Sequence, residues 1–339
     1  MQYRKFGNTE LLVSEIGFGA WAIGGNAMIG SLAIGWGDAD DHESKKAIHR
    51  SLDLGINFFD TADIYGLGHS EKLLGAVIGK KKDVIMASKV GNVARNEKFA
   101  TDYSKQHIIA GCEASLRRLK REVIDYYQLH TARVQHLEQK ECIEAMKLLQ
   151  QQGKIRYWGL SLNTFDPAPE AEFLIKEFAG SGFQLVLNIL NQKALPVLKE
   201  AAAKGYGVIA RMPLQFGLLT GKFDLSFEAL AKKDKETFFP ENDHRKNRLT
   251  KEVVQKANVA LHPVWQLCQK YGITKTQLAL SYILSYPEVS TVIPGIRTSE
   301  QAVSNTTGMV KLDNADIAFI EELGNTDFIQ VLKLMQEQG

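Results

Sequence analysis

The sequence predicts an α/β fold, a closed (β/α)8 barrel of eight parallel strands with an N-terminal hairpin and extra C-terminal helices. Three observations predict it. Apolar, β-rich runs alternate with amphipathic helical stretches along the 339 residues, and such alternation builds parallel sheets through helical crossovers. No Pro/Ser-rich linker divides the chain, and barrels of about 250 residues or more fold as one unit, so residues 1–339 read as a single domain. The first strand runs into GFGAWAIGG. A doubly wound sheet would need a GxGxxG turn opening a helix at that point.

The elements follow in order. Tyr3–Phe6 and Leu11–Ser14 flank a Gly-Asn-Thr turn and read as a hairpin capping the bottom of the barrel. Strand one is EIGFGAW, followed by a Gly-rich loop through Trp36 and Gly37. Asp40 or Asp41 caps the helix HESKKAIHRSLDL, and Gly55 stops it. INFFD is strand two. The helix HSEKLLGAVIG leads to strand three, DVIMASK, and the helix around KQHIIAGCEASLRRLK leads to strand four, VIDYYQLH. KECIEAMKLLQQQ is helical and ends at Gly153, before strand five, IRYWGLS. PAPEAEFLIKEFA precedes strand six, FQLVLN. ALPVLKEAAAK, stopped by Gly205, precedes strand seven, YGVIAR. The last repeat is stretched: a long loop over 212–250, helical segments near 251–271 and 274–285, strand eight in VSTVIPG, and a helix near 299–308. The segment after residue 312 reads as C-terminal helices or a lid.

Composition narrows the function classes. The chain is 45% hydrophobic and 24% charged with a net charge of +2, ordinary for a globular protein and without the basic footprint of a nucleic-acid binder. Cys112, Cys142 and Cys268 are scattered, which suits packing residues rather than a disulfide framework or a zinc site. The N-terminus MQYRKFGNTE has no apolar leader core, and no stretch approaches a membrane span. A cytoplasmic protein with a small-molecule partner, and no nucleic-acid or membrane partner, is the expectation.

Four residues stand out by position. Asp60 ends strand two, Tyr65 lies just past it, Lys89 ends strand three inside VIMASKV, and His130 ends strand four. In a parallel barrel these ends share one rim, where active sites form. Taken singly, each has a structural explanation: a turn cap, a packing tyrosine, a solvated lysine, a structural histidine. Their equivalent placement on consecutive strands is what singles them out. A buried lysine needs a counter-charge to stay protonated, and Asp60 is the nearest by register. Its ammonium beside Tyr65 is expected to lower the phenol pKa from about 10 and suit it to general acid work. His130 would then hold a substrate oxygen.

The ordered motifs FDTADIYG-x-G-x-SEKLLG, the Lys of ASKV, the His of QLH, MPLQFGLLTGKF and VIPGIRTSEQAVSN resemble those of the aldo-keto reductases. The likeness runs from GFGAW to about residue 308. It implies a (β/α)8 TIM barrel that binds a nicotinamide cofactor, NADPH/NADP rather than NAD, without a Rossmann domain. It implies a catalytic tetrad of Asp60, Tyr65, Lys89 and His130, with Tyr65 as proton donor. It also implies cofactor contacts. Gly19, Ala20 and Trp21 follow strand one, and Ser161 and Gln184 hold the carboxamide. Pro213, Leu214, Gly217, Leu219, Gly221 and Lys222 belong to the loop along the pyrophosphate. Gly295, Arg297, Gln301 and Asn305 meet the adenosine end, with Arg297 facing the 2′-phosphate.

Two positions depart from the family pattern. Arg211 stands where an aromatic residue commonly lies against the nicotinamide, and its planar guanidinium would stack there instead. Leu162 separates Ser161 from Asn163, so Ser161 is the expected contact. Trp21, Trp36, Tyr65 and His130 are the expected substrate walls, with residues 22–41 and 223–248 as variable rims. The charged run within 231–248 reads as a solvated flap or as a closing lid. The implied activity is reduction of an aldehyde or ketone, sugar-derived ones included, or the same site run as an alcohol or sugar dehydrogenase. Two other readings stay open: a redox-sensing regulatory subunit resembling potassium-channel β subunits, and a metal-dependent hydrolase built on Asp60, His69 and His130.

Overall fold

Strand runs that are largely apolar, rather than strictly alternating, belong to strands buried on both faces, and most barrel strands are buried along nearly their whole length. The computed structural model describes residues 1–224 and 238–338. Its strands are β1 (Tyr3–Lys5), β2 (Leu12–Ser14), β3 (Phe18–Gly19), β4 (Met28–Ile29), β5 (Leu32–Ala33), β6 (Phe58–Asp60) and β7 (Ile85–Val90). They continue as β8 (Asn92–Arg95), β9 (Lys98–Thr101), β10 (Ile124–His130), β11 (Ile155–Ser161), β12 (Gly182–Val186), β13 (Gly207–Arg211) and β14 (Thr291–Ile293). Eight of them form one parallel sheet in the order β3-β6-β7-β10-β11-β12-β13-β14. The sheet closes on itself. Gly17 N donates to Val292 O at 2.8 Å and Gly19 N to Pro294 O at 3.0 Å, with parallel bridges Ile16 to Val292 and Gly19 to Gly295.

The N-terminal hairpin β1/β2 is antiparallel, as the sequence predicts. Phe6, Leu11 and Val13 fill the barrel bottom together with Phe58, Ile85, Ala87, Tyr126, Ile209 and Ile293. Phe6 packs edge-on to Tyr126 at 4.8 Å between ring centroids. Gly207 makes room for it, since a Cβ there would lie 2.5 Å from the Phe6 ring.

Helices cover the outside. Asp40, not Asp41, is the first cap. Its carboxylate accepts from His42 N at 2.7 Å and Glu43 N at 3.3 Å, two of the donors a helix start leaves unpaired. Ser104, Thr250 and Thr274 cap the helices Lys105–Leu119, Lys251–Tyr271 and Lys275–Leu284 in the same way. The C-terminal segment forms Asn314–Gly324 and Asp327–Glu337. Cys112 and Cys142 are buried and free, their thiols pushed up by burial to about 12 and about 11. Among the described residues no helix is long and apolar enough to cross a membrane. Residues 225–237 of the expected lid lie outside the described residues.

Candidate active site

Parallel strands deliver their last side chains to one end. Gly19, Asp60, His130, Ser161, Gln184 and Arg211 all line a single cavity of about 610 Å³, and Tyr65 joins them from the turn after β6. That volume lies within the usual range for ligand sites. Lys89 lies behind its wall, with no exposed surface.

Lys89 spends all three ammonium protons on fixed acceptors. Nζ lies 2.5 Å from Asp60 Oδ1, 2.9 Å from Thr61 O and 3.2 Å from Tyr65 Oη. The other Asp60 oxygen accepts from Gln128 Nε2 at 3.0 Å and Gln184 Nε2 at 2.9 Å. Burial pulls the Lys89 pKa down, but the Asp60 charge and the Tyr65 oxygen more than offset it, and the amine stays an ammonium. The Tyr65 phenol goes the other way from the expectation. Burial raises its pKa, and the Lys89 charge draws it back without cancelling the rise. Tyr65 therefore holds its proton firmly in this state. His130 is pushed well below the usual imidazole range by burial, with Lys89 and Arg211 adding to the effect. Its ring is neutral, 5.8 Å from the Tyr65 ring, and its buried Nδ1 has no partner among the described residues.

The Arg211 guanidinium is held by its neighbours. It donates to Leu162 O at 3.1 Å and Thr164 Oγ1 at 3.2 Å, and its Nε has no partner. Asn163 is taken up locally, accepting from Phe165 N and Asp166 N at 3.0 Å, which leaves Ser161 as the cavity-facing residue of that strand end. Ala20, Trp21, Trp36, Pro213, Leu214, Gly217, Lys222, Gly295, Arg297 and Gln301 also line the cavity. Leu219, Gly221 and Asn305 do not. Leu219 is core, Gly221 carries a turn at φ 84°, and Asn305 Nδ2 donates to Gly295 O at 3.4 Å from behind. Arg297 holds Trp36 O at 3.3 Å and also Asp38 O, while Gln301 Oε1 accepts from Arg297 N at 2.7 Å.

Among the site residues that sequence reasoning does not name singly, four stand out. Gln128 is the most legible of them: an amide inside VIDYYQLH, in register with Lys89 across β7 and β10. His244, Arg245 and Arg248 come from the long loop after β13 and line the cavity's outer wall; nothing in a charged run marks them. That loop is tied across to the loop after β3. Trp36 and Asp243 form an antiparallel bridge, and Gly35 O accepts from His244 N at 3.1 Å. Arg245 lies between the Trp36 and Phe239 rings at 4.4 Å and 4.2 Å. The three members of the possible metal set do not converge: His69 Nε2 pairs with Asp41 at 2.8 Å, and among the described residues no group of three suitable ligands forms.

The cavity fits an anionic dinucleotide. Lys222, Arg248 and Arg297 line it. Gly295 has nothing within 4 Å of where a Cβ would stand, so backbone is free to be approached closely there.

Barrel and rim together define a (β/α)8 oxidoreductase. The chain belongs to the Aldo/keto reductase family, whose model matches residues 15–325. It is 29% identical over 312 residues to the uncharacterised oxidoreductase YqkF of Bacillus subtilis (strain 168), covering 90% of both chains. It is 28% identical over 322 residues to a probable voltage-gated potassium channel subunit beta of Arabidopsis thaliana, again covering 90% of each. Among solved structures it superposes on the glycerol dehydrogenase AKR11B4 of Gluconobacter oxydans with a TM-score of 0.76 and 29% identity, covering 95% of this chain and 94% of that one.

Proposed function

We propose that the protein interconverts a small aldehyde or ketone and its alcohol with NADPH/NADP as cofactor and Tyr65 as the proton donor. The observation that carries the reading is the buried Lys89 ammonium, held by Asp60 and 3.2 Å from the Tyr65 oxygen. NADPH, when bound, would supply the hydride that a carbonyl carbon takes up. Tyr65 gives its proton to the carbonyl oxygen as negative charge gathers there, and the Lys89 charge stabilises the phenolate left behind. Asp60 keeps Lys89 charged, and Gln128 keeps Asp60 in place. Neutral His130 offers its ring N–H to the same carbonyl oxygen and orients it. Gln184 Nε2 is committed to Asp60, so its Oε1 is the atom left to accept from a carboxamide, beside Ser161. Lys222, Arg248 and Arg297 supply the positive charge for phosphate groups.

The test is Tyr65→Phe. Turnover of small aldehydes should fall about 10²–10⁴-fold, the range for losing a general acid, with NADPH binding by fluorescence titration nearly unchanged. Wild-type rates in the variant would remove Tyr65 from the mechanism. The likeness to a potassium channel subunit favours a second reading, in which the same site senses nicotinamide redox state for a partner. Tight NADPH binding with negligible turnover across a carbonyl and alcohol panel would select it.

A further inference from the structure

His244 is held in one tautomer by its surroundings. Its Nδ1 lies 2.9 Å from Gly35 O. A carbonyl oxygen only accepts, so Nδ1 carries the proton. Burial, with Arg248 and Arg245 nearby, pushes the ring down to about 3, against the smaller opposing pull of the Gly35 carbonyl and Asp243. The ring is therefore neutral, and Nε2 presents a bare lone pair. That atom is buried and has no partner among the described residues, on a side chain only 4% exposed that lines the cavity.

A second orphan stands beside it. Trp36 Nε1 is also buried without a partner among the described residues, and the Trp36 ring centre is 5.0 Å from that of His244. One lacks a donor and the other an acceptor, and they do not satisfy each other. A hydroxyl both donates and accepts, so a single hydroxyl entering here answers both. A phosphate oxygen answers only the tryptophan and is repelled by the imidazole lone pair. The position is tied to the chemistry: His244 stacks on Trp21 at 4.3 Å and Trp21 stacks on Tyr65 at 5.5 Å.

We propose that His244, with Trp36, is a specificity-determining residue that binds a hydroxyl of the substrate, so that the site selects hydroxylated carbonyl compounds and polyols over unsubstituted ones. This rests on the reading of Tyr65 as the proton donor to a bound carbonyl. A site built to hydrogen-bond a hydroxyl discriminates strongly against the analogue that lacks it, because its own polar groups are then left unpaired.

The experiment compares glyceraldehyde with propanal, which share a three-carbon skeleton. His244→Asn keeps a donor toward Gly35 O and loses the Nε2 acceptor; Trp36→Phe loses the indole N–H. In each variant the glyceraldehyde-to-propanal ratio of kcat/KM should fall about tenfold or more, while the Kd for NADPH moves less than about threefold. His244→Gln, which returns an acceptor near the Nε2 position, should restore part of the ratio. A ratio unchanged in both variants overturns the proposal. So does a loss of NADPH affinity that accounts for the rate change with both substrates, which would assign His244 to the cofactor. A turnover-free arm separates this from failure of the functional reading. Glycerol should raise the melting temperature of the NADP-loaded parent more than 1-propanol does, and lose that advantage in His244→Asn. Equal shifts by the two alcohols in parent and variant also overturn it, whatever Tyr65→Phe shows.

Discussion

In the proposed reaction Tyr65 and Lys89 divide one proton-transfer problem between them, and burial decides the terms. Because burial lifts the phenol above its ordinary value despite the ammonium at 3.2 Å, Tyr65 is protonated throughout the neutral range. His130 is neutral there too. Reduction, which needs the phenol, should be flat from about pH 6 to 9 and fall only as the pH rises through the Tyr65 pKa. Oxidation, which needs the phenolate, should climb over the same interval. Paired pH–rate profiles check this, and a limb near pH 6.5 in kcat/KM for reduction would count against a neutral His130. Asp63, two residues before Tyr65, carries a second signature. Burial and the nearby Glu71 charge push its carboxyl up to about 8, with Arg118 opposing, and Oδ1 has no partner. Its folded pKa lies above the unfolded value, so the native state keeps a proton that the unfolded chain has lost. That stabilising contribution is complete below about pH 4 and is lost as the pH rises through 8. Urea unfolding at pH 5 and pH 9 should show the parent losing about 4 kcal/mol more than Asp63→Asn over that interval, at about 1.36 kcal/mol for each of about three pH units. Equal losses would mean that Asp63 is ionised in the fold. Asp60, Lys89 and His130 were legible in the sequence because each interrupts or ends an apolar run, whereas Arg245 and Arg248 sit in a charged loop that singles out neither. The Tyr65 pKa was not, because it is a balance between burial and charge that needs the third dimension.

At the scale of elements, what the sequence revealed follows the strength of periodicity. The long amphipathic helices and the eight buried strands stand where the pattern puts them, though β3 and β14 shrink to Phe18–Gly19 and Thr291–Ile293. The rim hairpins β4/β5 and β8/β9 escaped, being too short for a period-2 pattern to register. Their turns rely on Gly30 at φ 57° and on Asn96 and Glu97 at φ 50° and 58°. The short helix Val134–Glu138 escaped for the same reason. Arg4 was equally invisible, because its role is to close a helix 280 residues away in sequence. From β1 it donates to Leu284 O at 2.9 Å, Tyr286 O at 3.1 Å and Val289 O at 2.9 Å. These carbonyls belong to the end of Lys275–Leu284 and the turn after it, where the helix leaves acceptors unpaired. Arg4→Ala strands them, and should cost about 2–3 kcal/mol by chemical denaturation. Lys5→Ala on the same strand, at an exposed position, should stay within about 0.5 kcal/mol. Equal effects would show that the hairpin, not the guanidinium, holds that helix.

The molecule separates its two ends. The bottom is closed by the hairpin and packed with Phe6, Phe58 and Tyr126, so the rim is free to carry polar and charged groups that a core would not tolerate. Barrel closure brings Gly295, after β14, next to Gly19, at the end of β3, and so joins the first and last barrel strands around one cavity. The loops after β3, β13 and β14 are then cross-tied by Arg297, Trp36, Asp243 and His244. A dinucleotide in that cavity would engage all three loops at once and stabilise the native state by mass action, about 2.7 kcal/mol at a hundredfold excess over Kd. On the proposed reading, in which Arg297 takes the extra 2′-phosphate, the melting temperature should rise by several degrees with NADPH, and less with NADH at the same concentration. Salt at about 0.5 M should narrow the gap by screening. Arg297→Ala should lower the unliganded melting temperature as well, since the guanidinium also ties down Trp36 O and Asp38 O. The decisive quantity is therefore the NADPH-minus-NADH difference. It should collapse in the variant while the NADH shift persists, and a difference that survives intact would place the 2′-phosphate against another cation of this wall.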